Sequence, residues 1–331
     1  MTDTPRHLEG LTGVAHKNLA HERDLEELNA LLAPVEETLR APHATPQRPI
    51  VFVLGAPRSG TTLVSQLLTA TGQFGTISNF TARFWQAPAL ALTIERTLRL
   101  AHQSGDFRSV RGITTAPSDP HEFGYFWSSW FDLGQPTHAL SAEDQARIDA
   151  SGLRRALAAM EQAAGRPLAF KNNTWFTFQA RWLAQALPKA VFVACRRDPF
   201  FVAQSLYEQR LALHGDPATW WSVRPNAHAR LAALEPLAQV AAQAVEIQRD
   251  MEKSLATIAP DRLIRADYAR VCENPHDVLS EIGEACTKAG EPMALALQGL
   301  PRQFRSTDTV RLAANTAEAL RAHVAAWIAA G

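Results

Sequence analysis

The chain has 331 residues, of which 46% are hydrophobic and 20% charged, with 33 Lys plus Arg balancing 33 Asp plus Glu. That apolar share in a chain of this length builds a sizeable core and excludes disorder as the main theme. A formal net charge of zero excludes the broad basic surface that sequence-independent nucleic-acid binding needs, so no nucleic-acid partner is expected and a bound anion must be held by a few placed residues.

In chain order, the first predicted element covers residues 8–39. Leu19, Leu25, Leu28, Leu31, Leu32, Val35 and Leu39 recur there at three- and four-residue steps, which predicts an N-terminal helical extension. Its pattern fits either a cover for the sheet or an oligomer interface. Pro42, Pro46 and Pro49 then fall within nine residues and read as a linker. Residues 1–47 are therefore expected to form a helical extension and linker, and residues 48–331 the main domain. Four short apolar runs, 50–54, 168–170, 190–195 and 263–264, lack alternation and are predicted as strands covered on both faces. The segments between them are helical in pattern, for example 62–71, 201–213 and 229–258. Strands alternating with helices predict an α/β fold with a P-loop-like parallel sheet flanked by helices.

Three cysteines, Cys195, Cys272 and Cys286, form no C-x-x-C pair and are too few for a disulfide framework, so a reducing, cytoplasmic location is expected. The opening MTDTPRHLEGLTG carries charges where a signal peptide has its apolar stretch. Apolar runs such as AVFVAC fall far short of the roughly 20 residues of a membrane span, and no transmembrane segment is expected.

The sharpest feature is the run IVFVLG followed by Ala56-Pro57-Arg58-Ser59-Gly60-Thr61-Thr62 and then LVSQLL. A buried strand turning through glycines into a helix start aims several backbone N–H groups and the positive helix end at one point, which cradles a phosphate. Gly55 and Gly60 have the spacing of a Walker A loop, yet Thr61 stands where that motif has lysine and the basic residue is Arg58. This weakens a reading as a P-loop kinase or NTPase. A second loop follows the run AVFVAC as Arg196-Arg197-Asp198-Pro199, with Ser205 two turns further on. Asp198 is suited to cap a helix with Pro199 in its first turn, which leaves Arg197 and Ser205 able to share an anion.

PRSGTTL after a buried strand resembles the 5′-phosphosulfate loop of sulfotransferases that use 3′-phosphoadenosine-5′-phosphosulfate (PAPS), most of all tyrosylprotein sulfotransferases and related bacterial enzymes. The resemblance implies that Gly55, Pro57, Arg58, Ser59, Gly60, Thr61 and Thr62 hold the phosphosulfate and that Arg197 with Ser205 holds the 3′-phosphate. It also matches Arg305-Ser306-Thr307-Asp308 to a segment that folds over the nucleotide, and Tyr268 to a tyrosine that contacts it. The resemblance runs from residue 50 to about 310 and says nothing of residues 1–48. It implies a sulfotransferase that moves the sulfuryl group of PAPS to a small-molecule, carbohydrate, lipid or peptide hydroxyl, or to an amine, without a metal.

Lys171 stands where the family has a lysine on the bridging oxygen of the transferred group, and Lys171 with Arg58 is expected to face the leaving phosphate. The sequence departs from the family at Asn173, where cytosolic members have a catalytic histidine, and in Gly75-Thr76-Ile77-Ser78-Asn79-Phe80, where tyrosylprotein enzymes have a glutamate. Gln209 replaces a further family arginine, with Arg210 next to it as the expected substitute. The Gly- and Lys-bearing C-terminal motif of cytosolic members is also absent. The general base is therefore sought in the aromatic-rich stretch from Asp119 to Trp127, where His121 or Glu122 is the candidate. The competing reading makes Glu122 an acidic residue at a helix start. Loss of the family bases also leaves open a nucleotide-binding protein without chemistry.

Overall fold

A computed structural model describes residues 17–98, 100, 107–109, 114–131 and 136–330. Among the described residues five strands, β1 (Ile50–Gly55), β2 (Gly75–Thr76), β3 (Leu168–Lys171), β4 (Ala190–Arg196) and β5 (Leu263–Asp267), form one parallel sheet in the order β2-β3-β1-β4-β5. The helices among the described residues are α1 (Leu19–Arg40), α2 (Thr61–Ala70), α3 (Pro88–Thr97), α4 (Gly124–Ser128), α5 (Ala142–Arg147), α6 (Ala150–Ala164) and α7 (Asn173–Phe176). They continue with α8 (Ala180–Ala186), α9 (Pro199–His214), α10 (His228–Leu231), α11 (Pro236–Leu255), α12 (Tyr268–Glu273), α13 (Pro275–Lys288) and α14 (Ala314–Ala329). None of them is long and apolar enough to cross a membrane.

β1 is central and buried along its whole length, because helices cover both sheet faces and leave no side for polar residues. Phe52 and its neighbours Phe170 and Phe192 face a core built with α3, α6 and α8. The ring of Phe52 lies 4.9 Å from that of Phe176 and 6.2 Å from that of Trp127, centre to centre. Val51, Val53, Val191 and Val193 face the opposite core, made with α2 and α13. A third cluster joins α9, α11 and α14 beside the sheet. Trp85, Phe126, Trp127 and Trp175 are core residues, in keeping with the way large aromatics bury wherever they are placed.

Two elements differ from the sequence reading. β2 carries no detectable pattern because two residues show no periodicity. The predicted helix over 229–258 is split into α10 and α11. Pro236 lacks the N–H and the room for a helix interior and takes the first helical position of α11, while the Glu235 carboxylate accepts the Leu237 and Ala238 amides at 3.0 and 2.6 Å.

α1 is attached inside out. Glu22, Asn29 and Glu36, seven residues apart, are buried, whereas Leu28, Leu31, Val35 and Leu39 of the predicted apolar pattern are exposed. Glu36 accepts the Ala89 and Leu90 amides, each at 3.1 Å, and thereby caps α3. Asn29 Oδ1 accepts the Gln86 amide at 2.8 Å and its Nδ2 donates to the Arg83 carbonyl at 2.8 Å. The Tyr125 hydroxyl donates to Glu22 at 3.0 Å. Polar satisfaction rather than apolar burial therefore fixes the helix.

The sheet register brings Val53 beside Lys171, Gly55 beside Cys195, and Arg196 beside Asp267. The carboxyl ends of β1, β3, β4 and β5 thus emerge at one edge, which is where ligands bind in open parallel sheets. We expect Asn29→Leu to lower the unfolding free energy by about 2 kcal/mol in urea titrations, although leucine is the more apolar residue. The substitution leaves the Gln86 N–H and the Arg83 carbonyl without their partner. An unchanged or raised stability would show that apolar contacts, not these bonds, hold α1.

Candidate active site

The loop after β1 is a tight turn that glycines permit at two points. A Cβ on Gly55, at φ 152°, would lie 2.5 Å from the Cys195 carbonyl oxygen of β4. On Gly60, at φ 96°, it would lie 2.8 Å from the Tyr268 ring. Arg58 between them has φ 69°, a left-handed conformation that costs an ordinary residue energy and marks a site under constraint. Pro57 is buried in the turn. α2 begins at Thr61, and Gly60 at its N-cap offers no side chain to its first turn, so the positive end of the helix opens onto the loop.

Ser59 departs from its expected role. It is 1% exposed, and both its amide and its hydroxyl donate to the Ala56 carbonyl, at 3.2 and 2.7 Å. Its donors brace the turn instead of facing a ligand. Thr177, unmarked in the sequence, steadies the entry to the loop by accepting the Gly55 N–H at 3.3 Å while donating to the Asn173 carbonyl at 2.6 Å.

The structure brings Arg58, Arg197 and Ser205 together. Asp198 accepts the Phe200 amide at 2.8 Å and Pro199 starts α9, as the sequence predicts, which sets Ser205 on the face toward the loop. Arg58 Nε donates to Ser205 Oγ at 3.1 Å. Arg197 Nη1 donates to the Arg58 carbonyl at 2.8 Å, and its guanidinium lies 4.4 Å from the centre of the Tyr268 ring. Tyr268, the first residue of α12, also contacts Thr307 Oγ1 through its hydroxyl at 3.0 Å. Burial, and then the nearby charges of Arg197 and Arg311, lower the Arg58 pKa. A cation held at such a cost favours an anion beside it.

The C-terminal segment engages Nε and Nη2 of Arg197. Nε and Nη2 meet Asp308 Oδ1 at 2.7 and 2.6 Å, and Nη2 also donates to Thr307 Oγ1 at 3.1 Å. Arg305 and Ser306 are exposed, and Ser306 Oγ accepts the Asp308 amide at 3.1 Å. Arg210 is not available to the site. It is wholly buried, where Nη2 donates to Gln243 at 2.8 Å, Nη1 to Gln239, and the guanidinium lies 5.0 Å from the Trp220 ring centre. Arg210 therefore does not stand in for the missing family arginine, because this side of α9 packs on α11.

Lys171 ends β3 with a nearly buried side chain whose Nζ is paired with Glu122 Oε1. Glu122 is exposed and precedes the short helix α4, so it is not part of a helix start. Asn172, which the sequence reading passed over, holds this geometry. Its Nδ2 donates to the Glu122 carbonyl at 3.0 Å, and its Oδ1 accepts the Thr174 and Trp175 amides at 2.8 and 3.0 Å as the cap of α7. Asn173 Oδ1 is buried without a hydrogen-bond partner among the described residues.

His121 is reached by solvent but ringed by protein. Burial lowers its pKa to about 4, with Glu122 opposing the shift and Arg83, Lys17 and Lys171 adding to it. Its Nδ1 accepts the Phe123 amide at 2.8 Å, which spends the lone pair of the neutral ring and puts its proton on Nε2. That arrangement disfavours His121 as the base. As pH falls from about 6.5 the unfolded chain takes up a proton that the folded chain refuses, so His121 withdraws stability between about pH 6.5 and pH 4. The His121 ring resonances are expected to titrate near pH 4; a midpoint near 6.5 would show a solvated ring free to act as a base. Gly60→Ala is expected to distort the loop against Tyr268, and retention of the wild-type loop amide chemical shifts would contradict the contact.

The model of a sulfotransferase family matches residues 49–289. The sulfotransferase STF9 from Mycobacterium avium has a similar structure, with a TM-score of 0.52 and 18% identity over 98% of this chain and 84% of that one. STF1 from Mycobacterium tuberculosis H37Rv gives 0.50 and 16% over 97% and 90%. No curated protein sequence matches significantly. These likenesses give the fold, and they do not single out tyrosylprotein enzymes. The match over most of the length, together with the parallel sheet and the loop at its carboxyl edge, establishes that the chain belongs to the sulfotransferase family.

Proposed function

We propose that the chain transfers the sulfuryl group of PAPS to a hydroxyl or amine acceptor, and that it does so from residues 48–331, with residues 1–47 as an appended segment. The observation that carries this reading is the convergence, at one sheet edge, of an open helix N-terminus with Arg58, Arg197 and Ser205 on one side and the Lys171–Glu122 pair on the other. The donor set fits a bisphosphorylated nucleotide. The first turn of α2 with Gly60, Thr61, Thr62 and Arg58 would hold its 5′-phosphosulfate, and Arg197 with Ser205 its 3′-phosphate, beside Tyr268, Thr307 and the exposed Arg305 and Ser306. When bound, the nucleotide would supply an activated sulfuryl group on a phosphate leaving group.

The protein's share is positioning and charge. Lys171, nearly buried at the end of β3, would stabilise the oxygen that takes up negative charge as the bond to sulfur breaks. Glu122 would accept the proton released when the acceptor oxygen or nitrogen joins the sulfur. It is an exposed carboxylate already held against Lys171, whereas the lone pair of His121 is spent. Asn172 would keep Glu122 in place from behind.

Sulfate transfer from labelled PAPS to a pooled set of alcohols, amines, glycans and tyrosine peptides tests the activity. Calorimetry with 3′,5′-ADP in the absence of Mg²⁺ tests the nucleotide. Lys171→Ala and Glu122→Gln are each expected to lower kcat by about 10²-fold or more, and Glu122→Gln to keep 3′,5′-ADP affinity within about threefold of wild type. Wild-type turnover in Glu122→Gln would remove it as the base. Binding of ATP that requires Mg²⁺, with no binding of 3′,5′-ADP, would overturn the reading as a whole.

A further inference from the structure

Arg197 is the residue to which the proposed function gives the 3′-phosphate, yet a carboxylate of the same chain sits on it. Its side chain is 6% exposed and that of Asp308 is 23% exposed. Every donor-bearing nitrogen of the guanidinium has a partner: Nε and Nη2 on Asp308, Nη2 also on Thr307 and Nη1 on the Arg58 carbonyl. One N–H of Nη1 is left over, so a phosphate can meet Arg197 at a single point, and a two-pronged grip on the guanidinium requires displacing one of these partners. The Arg58 carbonyl belongs to the loop, and Thr307 is tied to Tyr268 by two bonds, its hydroxyl at 3.0 Å and its amide at 3.3 Å. Asp308 is the partner free to leave.

The segment carrying Asp308 is pinned at both ends. The Phe304 amide donates to the Cys272 carbonyl at 2.7 Å. On the other side Gln204, fully buried, donates to the Thr309 carbonyl at 2.9 Å and accepts the Arg311 amide at 2.8 Å, while Arg311 grips Glu208 at 2.9 and 2.6 Å. Release of Asp308 therefore needs only a local change between two fixed anchors.

We infer that Asp308 is an internal competitor that occupies the 3′-phosphate position on Arg197 until a nucleotide bearing that phosphate displaces it. The inference rests on the nucleotide reading above. A carboxylate brings one negative charge and two oxygens, whereas a phosphate monoester near neutral pH brings about −1.5 to −2 and three oxygens, so the phosphate wins the exchange. A nucleotide without a 3′-phosphate has nothing to offer Arg197 and leaves Asp308 in place. Asp308 thereby keeps weak anions off Arg197, lowers the affinity for a 3′-phosphate by the work of its own displacement, and sets a threshold that only a strong dianion passes.

Calorimetry on the full chain, with 3′,5′-ADP and 5′-ADP as probes, tests this in wild type and Asp308→Asn. If Asp308 holds Arg197 about nine parts in ten of the time, removing its charge tightens 3′,5′-ADP binding about tenfold, with 5′-ADP changed less than about twofold. Unchanged or weaker 3′,5′-ADP binding in the variant would overturn the inference, since Asp308 would then orient Arg197 for the ligand rather than compete with it. If wild type binds the two nucleotides equally and Arg197→Ala alters neither, the nucleotide reading fails first and the inference falls with it, a pattern distinct from the previous one. Should Asp308→Asn melt well below wild type, Asp308→Ser, which keeps a hydroxyl acceptor for Arg197 but no charge, is expected to give the same selective tightening, and failure to do so is equally decisive against it.

Discussion

The guanidinium of Arg197 ties together stretches of chain that lie far apart in sequence. It holds the loop after β1 through the Arg58 carbonyl, rests on Tyr268 at the end of β5, and fastens the C-terminal segment through Thr307 and Asp308. Only a planar, permanently charged fork can meet partners in so many directions at once, so lysine could not replace it. The side chain is nearly buried, and its charge would be costly there without the carboxylate and the carbonyl that surround it. The site is organised around satisfying this one cation.

Sheet polarity supplies the other constraint. Because all five strands are parallel, their carboxyl ends share one edge, and residues separated by more than a hundred positions meet there without long excursions of the chain. Lys171 and Arg197 each terminate or follow a strand, so the core sets their starting points. What differs is how their tips are held: Lys171 by Glu122, in a segment anchored by Asn172, and Arg197 by the C-terminal segment.

Four of the five strands, the glycine-bounded loop after β1 and the Asp198 cap could be read from residue types and spacing, because each is a local pattern with one physical reason. What was hidden depends on which way a side chain turns. Ser59 faces into its own loop, Arg210 packs against α11, and Asp308 folds onto Arg197, and no local spacing distinguishes these from the ligand-facing alternatives. α1 makes the same point for the fold. Its leucines have helical period and its helix exists, yet the buried face is Glu22, Asn29 and Glu36, since uncapped amides at α3 and after Arg83 outweigh a few apolar contacts. Hydrophobic period predicts that a helix forms more reliably than which face it buries.

The neutral composition acquires a local meaning at this site. Arg58, Arg197 and Arg311 lie close enough that the latter two depress the Arg58 pKa, beyond what burial does. Gathering such cations without an anion would set their mutual repulsion against folding, since a partly dry environment weakens screening. The protein offsets it with carboxylates placed one to a cation: Asp308 on Arg197, Glu208 on Arg311 and Glu122 on Lys171. Arg58 has a hydroxyl instead, that of Ser205. On the proposed reading, the balance of charge that excluded a basic surface is what permits a strongly basic pocket to exist in the folded chain. An arriving polyanion then exchanges partners with these cations rather than neutralising bare charge, so its binding strength reflects the difference between its own grip on them and that of the carboxylates it replaces.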